Sequence, residues 1–511
     1  MKIKKILALA VALTSVFAVA GCGSTGDSSS KVSTVKKVKV EDTQEIEAIP
    51  DDAQKTIRWM GTYDLNPDEK KGEDKSVEMT LFNNKGGKVE YTRVTDSEKF
   101  DQLASAIMAQ QNVPDIFKYE WMAFPAQVLK DMYQPVDDIV NFDDPLWADV
   151  KTAADKFVMG GKHYVAPISF TVGTLMMYDQ DVIDAEGLDD PYELYQNNEW
   201  NWDNWYDMMS EFVSNAPADV ERFGINGWFQ TQVIQQTGKT MVNYDGEKFT
   251  NNINDPDIER AEDLLYQVGK NNLVNGNWLG NAKQALKDGN LLFYCMGTWA
   301  MTGNNGPSDA DTWRVVPVPS DPNTDEKYMT SDMTAYMWVR GSTAKEAVEC
   351  CRMANTDETY KENGKEKFLN ANPNWTEDMY QVIVDCSSSE YNQVFDYGYG
   401  ISSTMSDDNA NEDGNCVTRK LYEYTNKADD NGKQFSWTEL RESYSATVDA
   451  ELKTINDAVV AFNKKKFIRI LYKTSILSGS CFCIKNMALR DTFLRAFAIV
   501  MFSCPCLHEQ T

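Results

Sequence analysis

Asn281–Met301 reads NAKQALKDGNLLFYCMGTWAM, and the rest of the chain can be organised around this stretch. Ala282, Ala285 and Leu286 predict a short amphipathic helix that stops at Gly289. An apolar strand follows over Leu291–Met296, and the chain then turns through Gly297-Thr298 to present Trp299. A strand that ends in a glycine turn and carries an indole at its carboxyl end suits a ligand crevice of an α/β protein.

Upstream, the pattern alternates between strand and helix. Thr56–Gly61 is strand-like and is followed by the turn Thr62-Tyr63-Asp64. A short helix near Ser76–Asn83 and a strand over Val89–Val94 come next. Thr95 and Glu98 predict a capping box for a helix with Phe100, Leu103, Ala104, Ile107 and Met108 on one face. Pro114 ends that helix, and Asp115–Tyr119 reads as a third strand. This alternation predicts an α/β fold with a largely parallel sheet. His163–Tyr178 is a pair of apolar runs joined by Thr171-Val172-Gly173. Asn201 caps a helix with Trp205, Met208, Met209 and Phe212 inward, and Gly224–Phe229 is a strand that ends near Trp228. Asp255 caps another helix, with Pro256 in its first turn and a stripe of Ile258, Ala261, Leu264, Leu265 and Val268. Downstream, two prolines break Trp313–Ser320, which suits an interdomain crossing better than a central strand. Thr334–Arg340 is a further strand. Ser436 and Glu439 cap a long final helix whose face runs Leu440, Tyr444, Val448, Leu452, Ile455, Val459 and Phe462.

The 511 residues suffice for two or three domains, and 78 acidic against 50 basic residues leave a net charge of −28. That balance argues against nucleic acid, whose affinity rests on cationic contacts to phosphate, and against electrostatic binding to an anionic bilayer. It fits an exterior protein handling neutral or cationic ligands.

The amino terminus carries a signal. Lys2, Lys4 and Lys5 precede an apolar run, Ile6–Ala20, too short to span a bilayer, and small residues lead to Cys22. Residues 1–21 read as a signal peptide and 22–55 as a solvated tether. At the other end, residues 464–511 carry eight basic residues against two acidic ones, a charge of +6 where the rest carries −34. The tail is expected to lie outside the fold, either as a misjoined reading frame or as a functional basic tail. The mass of the natural protein decides between them.

Val19-Ala20-Gly21-Cys22 resembles the bacterial lipobox. With it, the helix ending in Pro114-Asp115, Gly161-Lys162-His163-Tyr164-Val165-Ala166-Pro167 followed by Tyr178-Asp179, Asn201-Trp202-Asp203-Asn204, Asn254-Asp255-Pro256 and the Gly289-to-Trp299 stretch resemble the sugar-binding solute-binding proteins of ABC importers, the family of maltose-binding protein. Cys295-Met296 departs from the family pattern. The resemblance covers most of Thr56–Phe462. It implies two α/β lobes with discontinuous crossings, the periplasmic-binding-protein-like type II fold. Lobe 1 would comprise 56–169 with 320–373 and lobe 2 would comprise 174–315 with 374–462, with crossings near Phe170–Gly173, Val316–Pro319 and Asn372–Trp375. It further implies a lipid anchor on Cys22, a location on the outer face of the plasma membrane, a carbohydrate ligand, a permease partner, no cofactor and a monomer. On the ligand, the resemblance places Trp299 as a stacking platform, Thr62, Tyr63 and Asp64 after the first strand, and Glu120 and Trp121 after the third. Thr171 and Thr174 at the hinge, Trp228, Tyr397 and Tyr399 complete the candidates, while Trp338 and Trp278 read as packing.

Other classes find little support. The body holds one histidine, His163, in a strand-like run, which counts against a Ser–His–Asp arrangement and His-based zinc sites. There is no phosphate-loop glycine pattern. Asp407-x-Asn409-x-Asn411 lacks the glycine that a calcium loop needs, and no metal is expected. Cys295, Cys350, Cys351, Cys386 and Cys416 define no disulfide framework. A surface glycan-adhesion lipoprotein, a receptor for a non-sugar polar solute and, more distantly, a secreted hydrolase remain as alternatives.

Overall fold

The structure is a computed structural model that describes residues 48–67, 76–277, 279–306, 312–344, 346–356, 358–406, 416–429 and 431–477. Cys22, Trp278 and the Asp407–Asn411 run lie outside the described residues, as do the signal peptide and most of the tether and tail.

In chain order the strands are β1 (Thr56–Gly61), β2 (Lys88–Arg93), β3 (Ile116–Lys118), β4 (Val158–Met159), β5 (Lys162–His163), β6 (Ala166–Val172), β7 (Leu175–Asp179), β8 (Phe223–Gly227), β9 (Val242–Tyr244), β10 (Phe249–Asn251), β11 (Leu291–Met296), β12 (Trp313–Val316), β13 (Tyr328–Trp338) and β14 (Asn392–Val394). The helices needed below are α1 (Lys99–Ala109), α2 (Trp202–Ser214), α3 (Pro256–Lys270), α4 (Lys283–Lys287), α5 (Glu358–Ala371) and α6 (Trp437–Leu477).

Two main sheets organise the body. The first has the order β14-β13-β3-β1-β2, with β6 also paired to β13. β1 runs parallel to β2 and β3, whereas β13 is antiparallel to β3 and β6. The second has the order β12-β7-β11-β8. β11 occupies an interior position there, and all six of its residues are buried, as an apolar run covered on both faces requires. Its core partners include Leu175, Leu286, Trp313 and Val315.

The sheets are joined by strands that run side by side. β6 ends at Val172 and pairs with β13 through Val172↔Ser331 and Thr171↔Asp332, and β7 begins three residues later. β13 is therefore longer than the expected Thr334–Arg340 strand. It starts at Tyr328 and exchanges partners along its length, from β14 to β6 to β3. β12 sits at the edge of the second sheet, just before Pro317, where a missing N–H is tolerated.

Two placements depart from the expected division of the chain. Phe368 of α5, assigned by sequence to the first lobe, packs in the core of the second sheet with Leu291 and Trp313. Asn392–Val394, assigned to the second lobe, hydrogen-bonds to Tyr328–Thr330 of the first sheet. Helical periodicity shows which face of α5 is apolar but carries no information on which sheet receives it.

The caps follow their side-chain chemistry with one exception. The Asn201 carboxamide accepts from the N–H groups of Asp203 (3.0 Å) and Asn204 (3.2 Å), and the Asp255 carboxylate accepts from Asp257 (2.9 Å). The Glu439 carboxylate accepts from the Ser436 N–H at 2.9 Å. The exception is the expected box at Thr95 and Glu98. The Thr95 hydroxyl instead donates to the Glu98 carboxylate at 3.2 Å, and α1 starts one residue later without a side-chain cap. The apolar face of α1 is also shallower than expected, because Met108 is 78% exposed. In α3, Ile258, Ala261, Leu265 and Val268 are buried, together with an unexpected carboxylate, Glu262.

Candidate functional site

The site is built where parallel strands end. β8 and β11 run in register from Phe223↔Leu291 to Gly227↔Cys295, so their carboxyl ends lie side by side. Gly227 has φ +106°, and a Cβ there would stand 1.9 Å from the Cys295 carbonyl oxygen. Only glycine fits this approach. The Trp228 N–H donates to the same carbonyl at 2.7 Å, and the Cys295 thiol donates to the Trp228 carbonyl at 3.3 Å. Burial pushes that thiol up to about 12, which keeps it protonated as a donor. After β11, the short helical turn Thr298–Ala300 presents Trp299. The indole folds back over Gly297, where a Cβ would lie 2.6 Å from its Nε1. The Trp228 and Trp299 ring centroids are 5.9 Å apart with planes tilted by 59°. Two indoles thus form an open corner. Leu175 pairs with Met296, which brings the buried Thr174 next to this corner, whereas Thr171 is held in the β6–β13 ladder.

On the first sheet, β1 and β3 also end together. Thr62 and Asp64 are exposed after β1. The Asp64 carboxylate accepts from the Asn66 backbone and side-chain amides, both at 2.9 Å. Tyr63 is half-buried; its ring centroid lies 5.9 Å from that of Trp59, and its carbonyl accepts from the Trp59 indole at 2.9 Å. After β3, half-buried Glu120 lies 3.9 Å from the Lys99 amine and 4.0 Å from the Lys118 amine, which leaves its carboxylate only loosely paired. Trp121 follows and is exposed.

The two tyrosines of the Tyr397–Gly400 turn separate. Tyr399 is half-buried and meets Trp121 edge-on, with centroids 5.1 Å apart, while its other neighbour, Tyr422, stacks at 6.3 Å. Tyr397 is buried, packs on Phe124 and Phe157, and donates its hydroxyl to the Lys156 carbonyl at 2.9 Å. Tyr397, expected as a ligand contact beside Tyr399, thus has both its ring and its hydroxyl engaged within the fold. Asp396, which sequence reading passed over, organises the turn by accepting from the Gly398 N–H at 2.8 Å and from the Tyr422 hydroxyl. Its position two residues before a glycine is the signal that was available. Burial raises its carboxyl to about 6 against the pull of those donors.

One pattern singles out the candidates. Of the tryptophans in the described residues, nine are buried, among them Trp59, Trp205, Trp313 and Trp338, and the three that are exposed are Trp121, Trp228 and Trp299. A large apolar ring is ordinarily buried, so three held open at strand ends are placed for something other than packing. Among the described residues, no group of three His, Cys, Asp or Glu side chains is placed to hold a metal ion.

Residues 66–349, more than half of the chain, match the family described as bacterial extracellular solute-binding protein. The chain belongs to this family. No curated protein matches the sequence. Solved structures of the same fold include the GacH receptor of Streptomyces glaucescens, studied with acarbose (14% identity, 78% of this chain and 98% of that one, TM-score 0.52). They also include the galacto-N-biose-/lacto-N-biose I-binding protein of the ABC transporter from Bifidobacterium longum (13%, 78% and 97%, 0.54). A third is the sugar-binding protein MalE from Xanthomonas citri (13%, 82% and 99%, 0.51). This solute-binding protein thus has the mixed α/β periplasmic-binding-protein-like fold, and its family places it outside the cytoplasm. No helix of the described residues is long and apolar enough to cross a membrane.

Proposed function

We propose that this solute-binding protein is the substrate-binding lipoprotein of an ABC transporter. It captures an oligosaccharide or a related carbohydrate between two lobes and delivers it to a membrane permease. The single observation that carries the reading is the exposure of Trp121, Trp228 and Trp299 at strand ends while the other described indoles are buried. Pyranose rings present flat C–H faces, and exposed indoles are the side chains that match them, with nearby polar groups fixing the hydroxyls. Asp64, Glu120 and the main chain of Thr62–Tyr63 supply such groups on one sheet, and Trp228 and Trp299 supply the platform on the other. The sugar ligands named for two related structures support the same class.

The lobes are centred on the two sheets and hinge where β6, β7 and β13 pass between them. Closure on a ligand contacting both sheets shifts the open–closed equilibrium by the ligand's preference for the closed form. Cys22 holds the monomeric protein to the outer face of the plasma membrane through its lipid.

Titration of intrinsic tryptophan fluorescence with a panel of soluble oligosaccharides tests the reading. Saturable shifts support it. Binding confined to insoluble polysaccharide would favour glycan adhesion instead, and binding confined to cationic solutes such as polyamines would move the assignment to a non-sugar receptor.

A further inference from the structure

No exposed indole contributes to a pocket of about 630 Å³, and of the candidate ligand contacts described above Tyr397 alone lines it. Its size is within the range of small-molecule sites, about 300–1,000 Å³. The walls come from the turn after β9, the segment leading into β13, β14 and the Asp155–Lys156 segment.

Its aromatic wall is fixed in advance. The Tyr244 and Tyr397 rings lie 5.6 Å apart, and their hydroxyls are tied to the main chain, Tyr244 to Val158 at 2.8 Å and Tyr397 to Lys156 at 2.9 Å. Phe395 is braced edge-on against Phe157 at 5.1 Å. The engagement that withdraws Tyr397 from the indole cleft therefore makes it part of a second wall.

The polar groups are less satisfied. The Gln393 carboxamide oxygen is buried without a hydrogen-bond partner, an unfavourable arrangement that a donor from a bound molecule relieves. The Lys156 ammonium lies 5.7 Å over the Phe395 ring and forms no ion pair with a described residue. Three carboxylates also line the pocket, and each already has a partner. Asp155 is bonded to the His163 ring at 2.8 Å, Asp245 accepts from the Glu247 N–H at 2.9 Å, and Glu326 accepts from the Asn392 amide at 2.9 Å. They oppose an anion. What remains is an orphan acceptor, a cationic donor and flat rings, which together suit a molecule that both gives and takes hydrogen bonds from a compact ring.

We propose that this pocket is a second solute site, taking a neutral hydroxylated molecule no larger than a disaccharide, independent of the indole cleft. The test is calorimetric titration of the full chain with maltose, sucrose, lactose and cellobiose. It is run on the wild type, on the Trp228→Ala/Trp299→Ala double variant, and on that variant with Gln393→Leu and Lys156→Ala added. The double variant should keep one binding event per chain, and the added changes should weaken it roughly tenfold or more. Gln393→Leu alone should leave the melting temperature equal or higher, because it removes an unsatisfied group; a merely structural glutamine would lower it. If the double variant folds poorly, Gln393→Leu/Lys156→Ala in the wild-type background carries the test, by removing one binding event per chain. The proposal is overturned if the indole-free variant binds no member of the panel, or if the Gln393 and Lys156 changes remove no binding event. Binding that persists without the indoles supports the second site even where the cleft proves to take no sugar.

Discussion

A ring held in water by its own backbone is the residue-scale signature of this protein. Trp228 and Trp299 are 48% and 38% exposed, yet the peptide of the first is bonded to Cys295 and the ring of the second rests on Gly297. Removing a stacked aromatic from a binding surface typically costs about 2 kcal/mol or more. Trp299→Ala should therefore weaken sugar affinity at least tenfold while leaving the thermal midpoint nearly unchanged; unaltered affinity in the folded variant would remove this ring from the cleft. A second residue matters for pH. Burial holds the Glu262 carboxyl well above the ordinary range, although the Thr425 hydroxyl donates to it at 2.7 Å. A raised folded-state pKa gives a contribution that is complete below the unfolded value, about 4.3, and is lost as pH rises through the folded one. Glu262→Gln should raise the melting temperature at neutral and alkaline pH, with the gain fading towards pH 4. Calorimetry across that range checks the slope, and a gain independent of pH would show that ionisation is not its source.

The element that does most for the site is the β8–β11 pair. Its parallel register puts two strand ends together, and Gly227 lets them touch. Gly227→Ala would force a Cβ into the Cys295 carbonyl at a backbone angle that L-residues rarely adopt. It should destabilise the fold by about 1–3 kcal/mol and displace Trp228, so that affinity falls along with stability. Denaturant unfolding and titration of the same sample separate the two losses; a variant as stable as the wild type would mean that the turn tolerates rearrangement. At the chain's last long element, Ser436→Ala removes a reciprocal cap of α6 and should cost about 1 kcal/mol without touching affinity. The local signals for β11, for α2 and for this cap were legible because each depends on neighbours within a few residues. The Thr95–Glu98 box was not, since the hydroxyl found the carboxylate before it found the helix backbone.

For the whole molecule, the proposed mechanism rests on closure. Small-angle scattering should show a smaller radius of gyration when sugar is added to the wild type and little change for the Trp228→Ala/Trp299→Ala variant. Saturating ligand should also raise stability, by about 2.7 kcal/mol at a concentration of 100 times Kd. Stabilisation without compaction would separate binding from closure. Much of this architecture was readable from the chain alone. The alternation of strand and helix set the α/β class, the glycine turn after Leu291–Met296 marked Trp299, and the charge balance argued against nucleic acid, because period, turn chemistry and charge are local or summed properties. What tertiary structure decided was which groups stay open. Tyr397 and Tyr399 are two residues apart in one aromatic turn, yet one is sealed between Phe124 and Phe157 while the other rests half-open beside Trp121. The same holds for Phe368 and for Asn392–Val394, whose partners come from distant parts of the chain. Burial is a property of what packs against a residue, and that is settled only when remote segments meet.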